Sequence, residues 1–590
     1  VVRALSIDAE RRVVMFDKDT LATSKELGEA REATYDKMVE KFGNQAPARA
    51  RNPETQSGLP IKTAYFPHDV EGIDFGQIGA PGQYPFTRGN LAAQYQLMNW
   101  ANQPVIGYGL PEHTRERMDH LSAQGMTGYF GQKFYNLVYD LVSHEGIDPD
   151  HPGARGRIGQ CGMATYTKAD MATLFADMDL TKMNVIHITY YQVIPALAQY
   201  IALAEEGGLA PADLRGNSMN WYHQSAYTGM SSFPPAEGLK LAVELVHYCS
   251  KNMPRWNTTN LFGYGVEEAG GNAVHEIALM LAYGIELVRA CVDSGLDADQ
   301  ALLRFGFQIA QSNDFFEEVC KIRALRRIWA STMQERFGAK DPRSMHVRIH
   351  THTAGSALTA QQPLVNLVRT TLHAFGAAMS GVQAMEVSSY DEAFAIPTED
   401  SATLALRVQQ VIQEETNITS VSDPLAGSYY VEALTDQIAN AALEMVDEIE
   451  KQGGYVEAQR NGWIRRPIEA SAERWREMIN QGSRRVVGLN CYETEEDTDQ
   501  QELFKVDPEV ERITIERLNE LRQSRDQGRH EKAMAAFTKA MAAFADSEVK
   551  DLGKGDIIEA AIEASRADAT HGELMGVMKD ALGWGAPHEY

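Results

Sequence analysis

The hydrophobic positions of this chain follow two periods. From about Gly125 onward, short β-rich runs alternate with stretches whose apolar residues recur every three or four positions. Eight runs predict strands. They are MTGYFGQ from Met126, NVIHITY from Asn184, LRGNSMNW from Leu214 and TNLFGYG from Thr259, then LLRFGFQ from Leu302, HVRIHTH from His346, GVQAMEVSS from Gly381 and ITSVSDP from Ile418. Amphipathic helices separate most of them. In the clearest, Phe315, Val319, Ile322, Leu325, Trp329, Met333 and Phe337 share one face, with Lys321, Arg326 and Glu335 expected to turn away. An α/β chain with eight strands separated by helices fits a (β/α)8 TIM barrel. An open doubly wound sheet with insertions gives the same alternation.

Around this centre the pattern changes. Residues 1–79 read as an N-terminal arm and linker, with a polar helical stretch from Leu21 to Phe42 and a loop, NQAPARARNPETQSGLP. Residues 80–430 are the expected barrel, 431–508 a C-terminal helical extension with an acidic loop at 492–508, and 509–590 a helical tail. At 590 residues the chain is too long for one ordinary core.

Composition narrows the function classes. The chain is 44% hydrophobic and 23% charged, as in globular proteins, and no apolar run approaches the roughly eighteen residues of a membrane span. The N-terminal run VVRALSIDAERRVV is broken by acids, unlike a signal peptide, and lacks a starting Met, so residues are expected to precede it. A net charge of −26 argues against nucleic acid as a partner. The five scattered cysteines form no CxxC, which predicts neither a disulfide framework nor a structural zinc site and suits a cytoplasmic protein.

In a barrel, chemistry sits at the carboxyl ends of the strands. Those ends offer Tyr264 and Glu268, then Arg304, then His350 and His352, then Gln383 with Asp391 and Glu392. His350 and His352 share one face of a strand and could both reach a metal, but no further ligand spacing accompanies them. Polar contacts to a ligand, or histidines satisfied within a core, are the alternatives. The glycine-rich GYGVEEAGG at 263–271 misses the dinucleotide fingerprint, and no P-loop, GxSxG or HExxH occurs.

An ordered series of motifs then carries a resemblance. YPFTRG at 84–89, FGYGVEEAG at 262–270, DFFEEVCKIRALRRIWA at 314–330 and SMHVRIHTHTAGSALT at 344–359 are followed by SSYDEAFAIPTEDSA at 388–402 and DPLAGSYYVEALT at 423–435. This series resembles the methylmalonyl-CoA mutase family, and ADATHGELMGVMKDALG at 567–583 resembles the segment preceding the family's cobalamin-binding domain. The resemblance implies a TIM barrel and adenosylcobalamin-dependent radical rearrangement of an acyl-CoA. The family's cobalamin motif DxHxxG is absent, since His571 lacks the Asp two residues earlier. That implies a split member, whose cobalt is ligated by a separate small cobalamin-binding subunit, in a heterotetramer; a G-protein-type chaperone is a further possible partner.

By motif match, Leu141, Tyr264, Glu268, Gly355, Glu392 and Ala393 are implied cofactor-facing positions. His350 and Gln383 are implied catalytic positions, and Arg304 and His352 substrate-side ones. Departures cluster around the substrate. Leu91, Met98 and Gln103 stand where the family has an aromatic residue and two phosphate-binding arginines. Val105 replaces the radical-guiding Tyr, Thr228 the carboxylate-binding Arg and Gly265 the catalytic His. Ile186 and Ile188 replace polar residues, and an insertion is expected near 132–137. Arg304 and Arg343 could compensate at the phosphates. A larger, more apolar pocket and a substrate other than methylmalonyl-CoA are expected. A mutase whose substrate carries no coenzyme A, or a non-catalytic relative, stays open as an alternative.

Overall fold

The computed structural model describes residues 15–45, 53–494 and 503–586. The N-terminal run, the middle of the first loop, residues 495–502 of the acidic stretch and the last four residues lie outside them.

The centre of the molecule is all-parallel sheet. Its strands are β1 (Ala101–Asn102), β2 (Val105–Ile106), β3 (Lys133–Val138), β4 (Met183–Ile188), β5 (Gly216–Met219), β6 (Trp256–Asn257), β7 (Thr259–Phe262), β8 (Phe305–Gln311), β9 (Arg348–Thr353) and β10 (Ala384–Glu386). They form two five-stranded sheets, ordered β2-β3-β4-β5-β6 and β1-β10-β9-β8-β7. The chain joins the sheets at two places, between β1 and β2 and between β6 and β7. Pro104, which has no N–H to donate, interrupts the first junction. There the Gln103 N–H reaches Met385 O at 2.9 Å in one sheet, while Asn136 Nδ2 in the other donates to Gln103 O at 3.3 Å.

Most strands fall where periodicity puts them, with two corrections. MTGYFGQ is not a strand: it turns through Tyr129–Gly131, and the strand is the next segment, Lys133–Val138, which overlaps the residues read as an insertion, 132–137. ITSVSDP forms a 3-10 turn, Ile418–Ser420, ahead of the helix Tyr429–Lys451. Two segments went unrecognised in the sequence: Trp256–Asn257, and 101–106, whose two short halves are split by Gln103-Pro104 and carry no alternation long enough to register.

The helix Phe315–Phe337 buries the predicted apolar face from Val319 to Met333, with Phe315 and Phe337 half-buried, and more. Lys321 and Arg326 are also fully buried, contrary to expectation. Lys321 Nζ lies 2.5 Å from Glu276 and 2.6 Å from Glu318, and Arg326 donates to Ser380 O and Gly381 O at 2.8 and 2.7 Å. A helix enclosed on several sides has no wholly polar face; the Lys321 charge is paired with two carboxylates, while Arg326 is held by backbone carbonyls alone. Glu335 is exposed, as expected.

The tail does not hang free of this centre. Helices Gln527–Ala545, Asp556–Arg566 and His571–Leu582 share the main apolar core, the second packing along Val193–Glu206. Asp148, in the loop after β3, accepts from Gly572 N at 2.7 Å and Thr570 Oγ1 at 2.5 Å, tying the last helix to the carboxyl end of the sheet. Among the described residues no helix is long and apolar enough to cross a membrane.

Candidate active site

Strand register sorts the predicted residues into two groups at opposite ends of the sheets. At the amino ends, Arg348 is the first residue of β9, Arg304 immediately precedes β8, and Gly306 pairs with Arg348 across the ladder. Burial lowers the Arg304 guanidinium, with the Arg343 charge adding to the effect. Arg348 is pushed down to about 10 by burial and by Arg304 and Arg343, so three cations act on one another. Arg304 Nε and Arg348 Nη1 have no hydrogen-bond partner among the described residues. Arg343 is exposed and paired with Asp341 at 2.7 Å. This end attracts anions, and Arg348 is the member that sequence reading passed over.

Between the ends, alternate residues of the strands turn to one face. Ala101, Phe134, Ile186, Ile188, Met219, Phe262 and Ala384, with Trp221, form a single apolar cluster drawn from both sheets. The Trp221 and Phe262 rings stack with centroids 3.8 Å apart. This is the apolar character expected from Ile186 and Ile188. The expected extra room at Gly265, however, is occupied: a Cβ there would lie 2.2 Å from the Phe262 ring. Thr228 ends a short helix, Ser225–Thr228, with its hydroxyl on Gln224 O at 3.2 Å.

His350 occupies the same face, one pair ahead of His352, and neither of its ring nitrogens has a hydrogen-bond partner among the described residues. It is therefore not a histidine satisfied within the core. Burial pushes it down to about 4, so the ring is neutral near pH 7. Gln383 stands apart from it. Its side chain accepts from Ile349 N at 2.9 Å and donates to Gly381 O at 3.1 Å, binding neighbouring backbone. Its neighbour Ala384 carries the inward face.

At the carboxyl ends a cavity of about 680 Å³ opens, lined by Val105, His352, Glu386, Glu392 and Ala393. Phe504, Lys505 and Val506 border it from the C-terminal region, and Tyr108 meets Phe504 edge to face. Leu141, expected to face a cofactor, is exposed at the start of the short helix Leu141–His144 after β3.

Four predicted cofactor residues from three separate segments converge here, Tyr264 and Glu268 being the two ends of one short helix. A Cβ on Gly355 would lie 3.3 Å from Glu268 Oε2, 3.5 Å from Glu392 Oε1 and 3.6 Å from Tyr264 Oη. Only glycine leaves that cradle open. Glu268 is held by Ser356, whose backbone N–H lies 3.1 and 3.2 Å from its two oxygens. Glu392 is pushed up to about 7 by burial and then by the Glu268 and Asp391 charges. Two carboxylates so close cannot both ionise freely.

Glu386, like Arg348, is a residue that sequence reading missed. It ends β10, paired in register with His352. Its Oε1 accepts from Val105 N at 2.7 Å, whereas Oε2 has no hydrogen-bond partner among the described residues. Burial raises its carboxyl well above the usual carboxylate range. Its one sequence signal was the glutamate itself, at an inward position of an apolar strand.

Parallel α/β sheets with paired carboxyls and a cavity at their carboxyl ends have the form of a small-molecule site. A profile of the family described as Methylmalonyl-CoA mutase matches residues 54–584. The chain is 35% identical over 556 residues to the 2-hydroxyisobutanoyl-CoA mutase large subunit of Aquincola tertiaricarbonis, covering 93% of this chain and 95% of that one. It is 34% identical over 567 residues to the methylmalonyl-CoA mutase of Escherichia coli K12, covering 95% and 74%. Against the human mitochondrial methylmalonyl-CoA mutase it is 34% identical over 543 residues, covering 91% and 70%. The chain belongs to the methylmalonyl-CoA mutase family and is an isomerase of the mutase class.

Proposed function

We propose that the chain is the large, substrate-binding subunit of an adenosylcobalamin-dependent mutase that rearranges an acyl-CoA other than methylmalonyl-CoA. The observation that carries this reading is the cradle of Tyr264, Glu268 and Glu392 around Gly355. Its chemistry fits an adenosyl group: two carboxyls able to accept ribose hydroxyls, and no side chain filling the space between them.

In this reading the two sheets are halves of one (β/α)8 barrel. Supporting closure, residues 101–106 pair with β10 through one half and β3 through the other, and 256–262 bridge the sheets likewise. The barrel, 80–430, binds the substrate, with the helical extension and tail beside it. The arginines at the amino ends suit coenzyme A phosphates, and the apolar cluster excludes water from the reacting carbon skeleton. Adenosylcobalamin, when bound, supplies the radical that starts the rearrangement. His350, neutral and unpartnered, is then free to hydrogen-bond the thioester oxygen.

Three features support the remaining parts. His571, the tail's histidine, is buried with Nε2 3.0 Å from Ser143 O, which suits cobalt ligation by a separate small subunit. The large-subunit relative carries the same division in its name. A carboxylated acyl group would share the cavity with Glu392, whose value of about 7 leaves it part-ionised at neutral pH, which disfavours methylmalonyl-CoA. Titration calorimetry of the assembled protein with adenosylcobalamin tests the cradle: Glu392→Ala is expected to weaken binding at least about tenfold, the loss of a charge-assisted hydrogen bond. Unchanged affinity and turnover would remove the assignment.

A further inference from the structure

The Glu386–His352 pair is built in a way that neither the cradle nor the arginines account for. His352 lies against the Tyr264 ring, and its Nε2 is 3.2 Å from Ser388 Oγ. The Ser388 hydroxyl has one proton, which it gives to Thr353 O at 2.9 Å. The contact with His352 therefore needs the proton on Nε2, and Nδ1 keeps a lone pair. Burial pushes His352 down to about 3, so the ring stays neutral.

Opposite Nδ1, at 3.7 Å, stands Glu386 Oε2. That separation is too long for a hydrogen bond. The other oxygen, Oε1, is committed to the Val105 N–H, so the proton of the neutral carboxyl belongs on Oε2. A donor and an acceptor thus face one another on the cavity wall without meeting. A carboxylate could accept from Oε2–H but would bring its negative charge against the Nδ1 lone pair with no proton to offer it, and an alkyl group would leave both unmatched. A hydroxyl meets both requirements, since its oxygen accepts from Oε2–H while its proton goes to Nδ1.

We propose that Glu386 and His352 are the specificity-determining pair of this cavity and bind a hydroxyl group on the acyl part of the substrate. The proposal rests on reading the cavity as the acyl site of a mutase. It makes the substrate a hydroxyacyl thioester, held beside Val105, with the hydroxyl recognised by side chains on β9 and β10.

Binding tests the pair apart from turnover. Hydroxybutyryl-CoA and butyryl-CoA are titrated into the large chain assembled with its cobalamin-binding subunit, as wild type, Glu386→Leu and Glu386→Gln. The hydroxylated ester is expected to bind the wild type about tenfold tighter or more, because a site built to hydrogen-bond a hydroxyl penalises the analogue lacking it. Glu386→Leu abolishes the preference. Glu386→Gln keeps it, since an amide also accepts from Val105 N and donates to the hydroxyl. Equal binding of both esters to the wild type, or a preference untouched in Glu386→Leu, overturns the pair and leaves the mutase reading standing. A preference lost in Glu386→Leu without any radical signal supports the pair and removes the mutase reading. Failure of every thioester to bind overturns both.

Discussion

His352 lies flat on Tyr264, ring centroids 4.3 Å apart and planes 6° from parallel. Tyr264 belongs to the Gly355 cradle and His352 to the pair with Glu386, so this contact joins the proposed cofactor and substrate sides. Tyr264→Phe retains the stacked ring and is expected to leave the hydroxyl preference intact. Tyr264→Ala frees the His352 ring and is expected to weaken the preference severalfold, at the ~0.5–1.5 kcal/mol of an aromatic pair. Thioester titration of both variants checks this; equal behaviour would show that the stack positions nothing.

Gly355→Ala separates stability from cofactor binding. The added methyl meets only side-chain carboxyl and phenol oxygens, at 3.3 to 3.6 Å, and no backbone, so unfolding free energy is expected to change by less than about 1 kcal/mol. The same methyl fills the cradle, and adenosylcobalamin affinity is expected to fall at least about tenfold, roughly 1.4 kcal/mol. Denaturation and cofactor titration of one preparation read both effects. Loss of stability without loss of affinity would mean that the cradle is structural only.

Restoring the family's histidine is expected to fail on its own. Gly265→His drives a side chain into the Phe262 ring and is expected to destabilise by ~1–3 kcal/mol through overpacking. Combined with Phe262→Ser, which removes the ring that a Cβ at 265 would strike, the clash disappears. The double variant is then less destabilised than the sum of the single ones. Additive losses in urea denaturation would contradict the contact.

Glu392 gives a pH signature with a defined sign. Its folded value of about 7 stands above the ordinary 4.5, so its contribution to stability is complete below about 4.5 and is lost as pH rises through about 7. Glu392→Gln cannot lose it. The stability of the variant relative to wild type is therefore expected to grow between pH about 5 and pH about 8. A flat difference would contradict the shift. Glu317 and Asp148 titrate in the same direction but are common to both proteins and cancel.

Lys321 tests the buried charges of the helix Phe315–Phe337. Lys321→Met leaves Glu276 and Glu318 without their cation and is expected to cost ~3–5 kcal/mol. Adding Glu276→Gln and Glu318→Gln is expected to recover part of that loss. No recovery would mean that packing, not charge, dominates at Lys321.

These sites differ in how far they were legible in the sequence. Strands β4, β5, β7, β9 and β10 could be read because each is a compact run of β-formers. Segment 101–106 could not, since it is held by pairing to residues about thirty before its partner on one side and far along the chain on the other. Lys321 and Arg326 were misassigned because helical periodicity cannot anticipate a second and third packing surface. The cradle residues were found through their motifs, but their mutual approach is tertiary. Glu386 escaped because one acid in an apolar strand carries no local pattern; only register against His352 gives it a role.

The most direct test of the account is anaerobic spectroscopy of the chain with its small subunit, adenosylcobalamin and a panel of acyl-CoA thioesters. The account predicts cob(II)alamin formed only when a fitting thioester is added, strongest for a hydroxylated acyl group and absent for methylmalonyl-CoA. Cofactor bound but silent across the panel, or a signal with methylmalonyl-CoA, would contradict it.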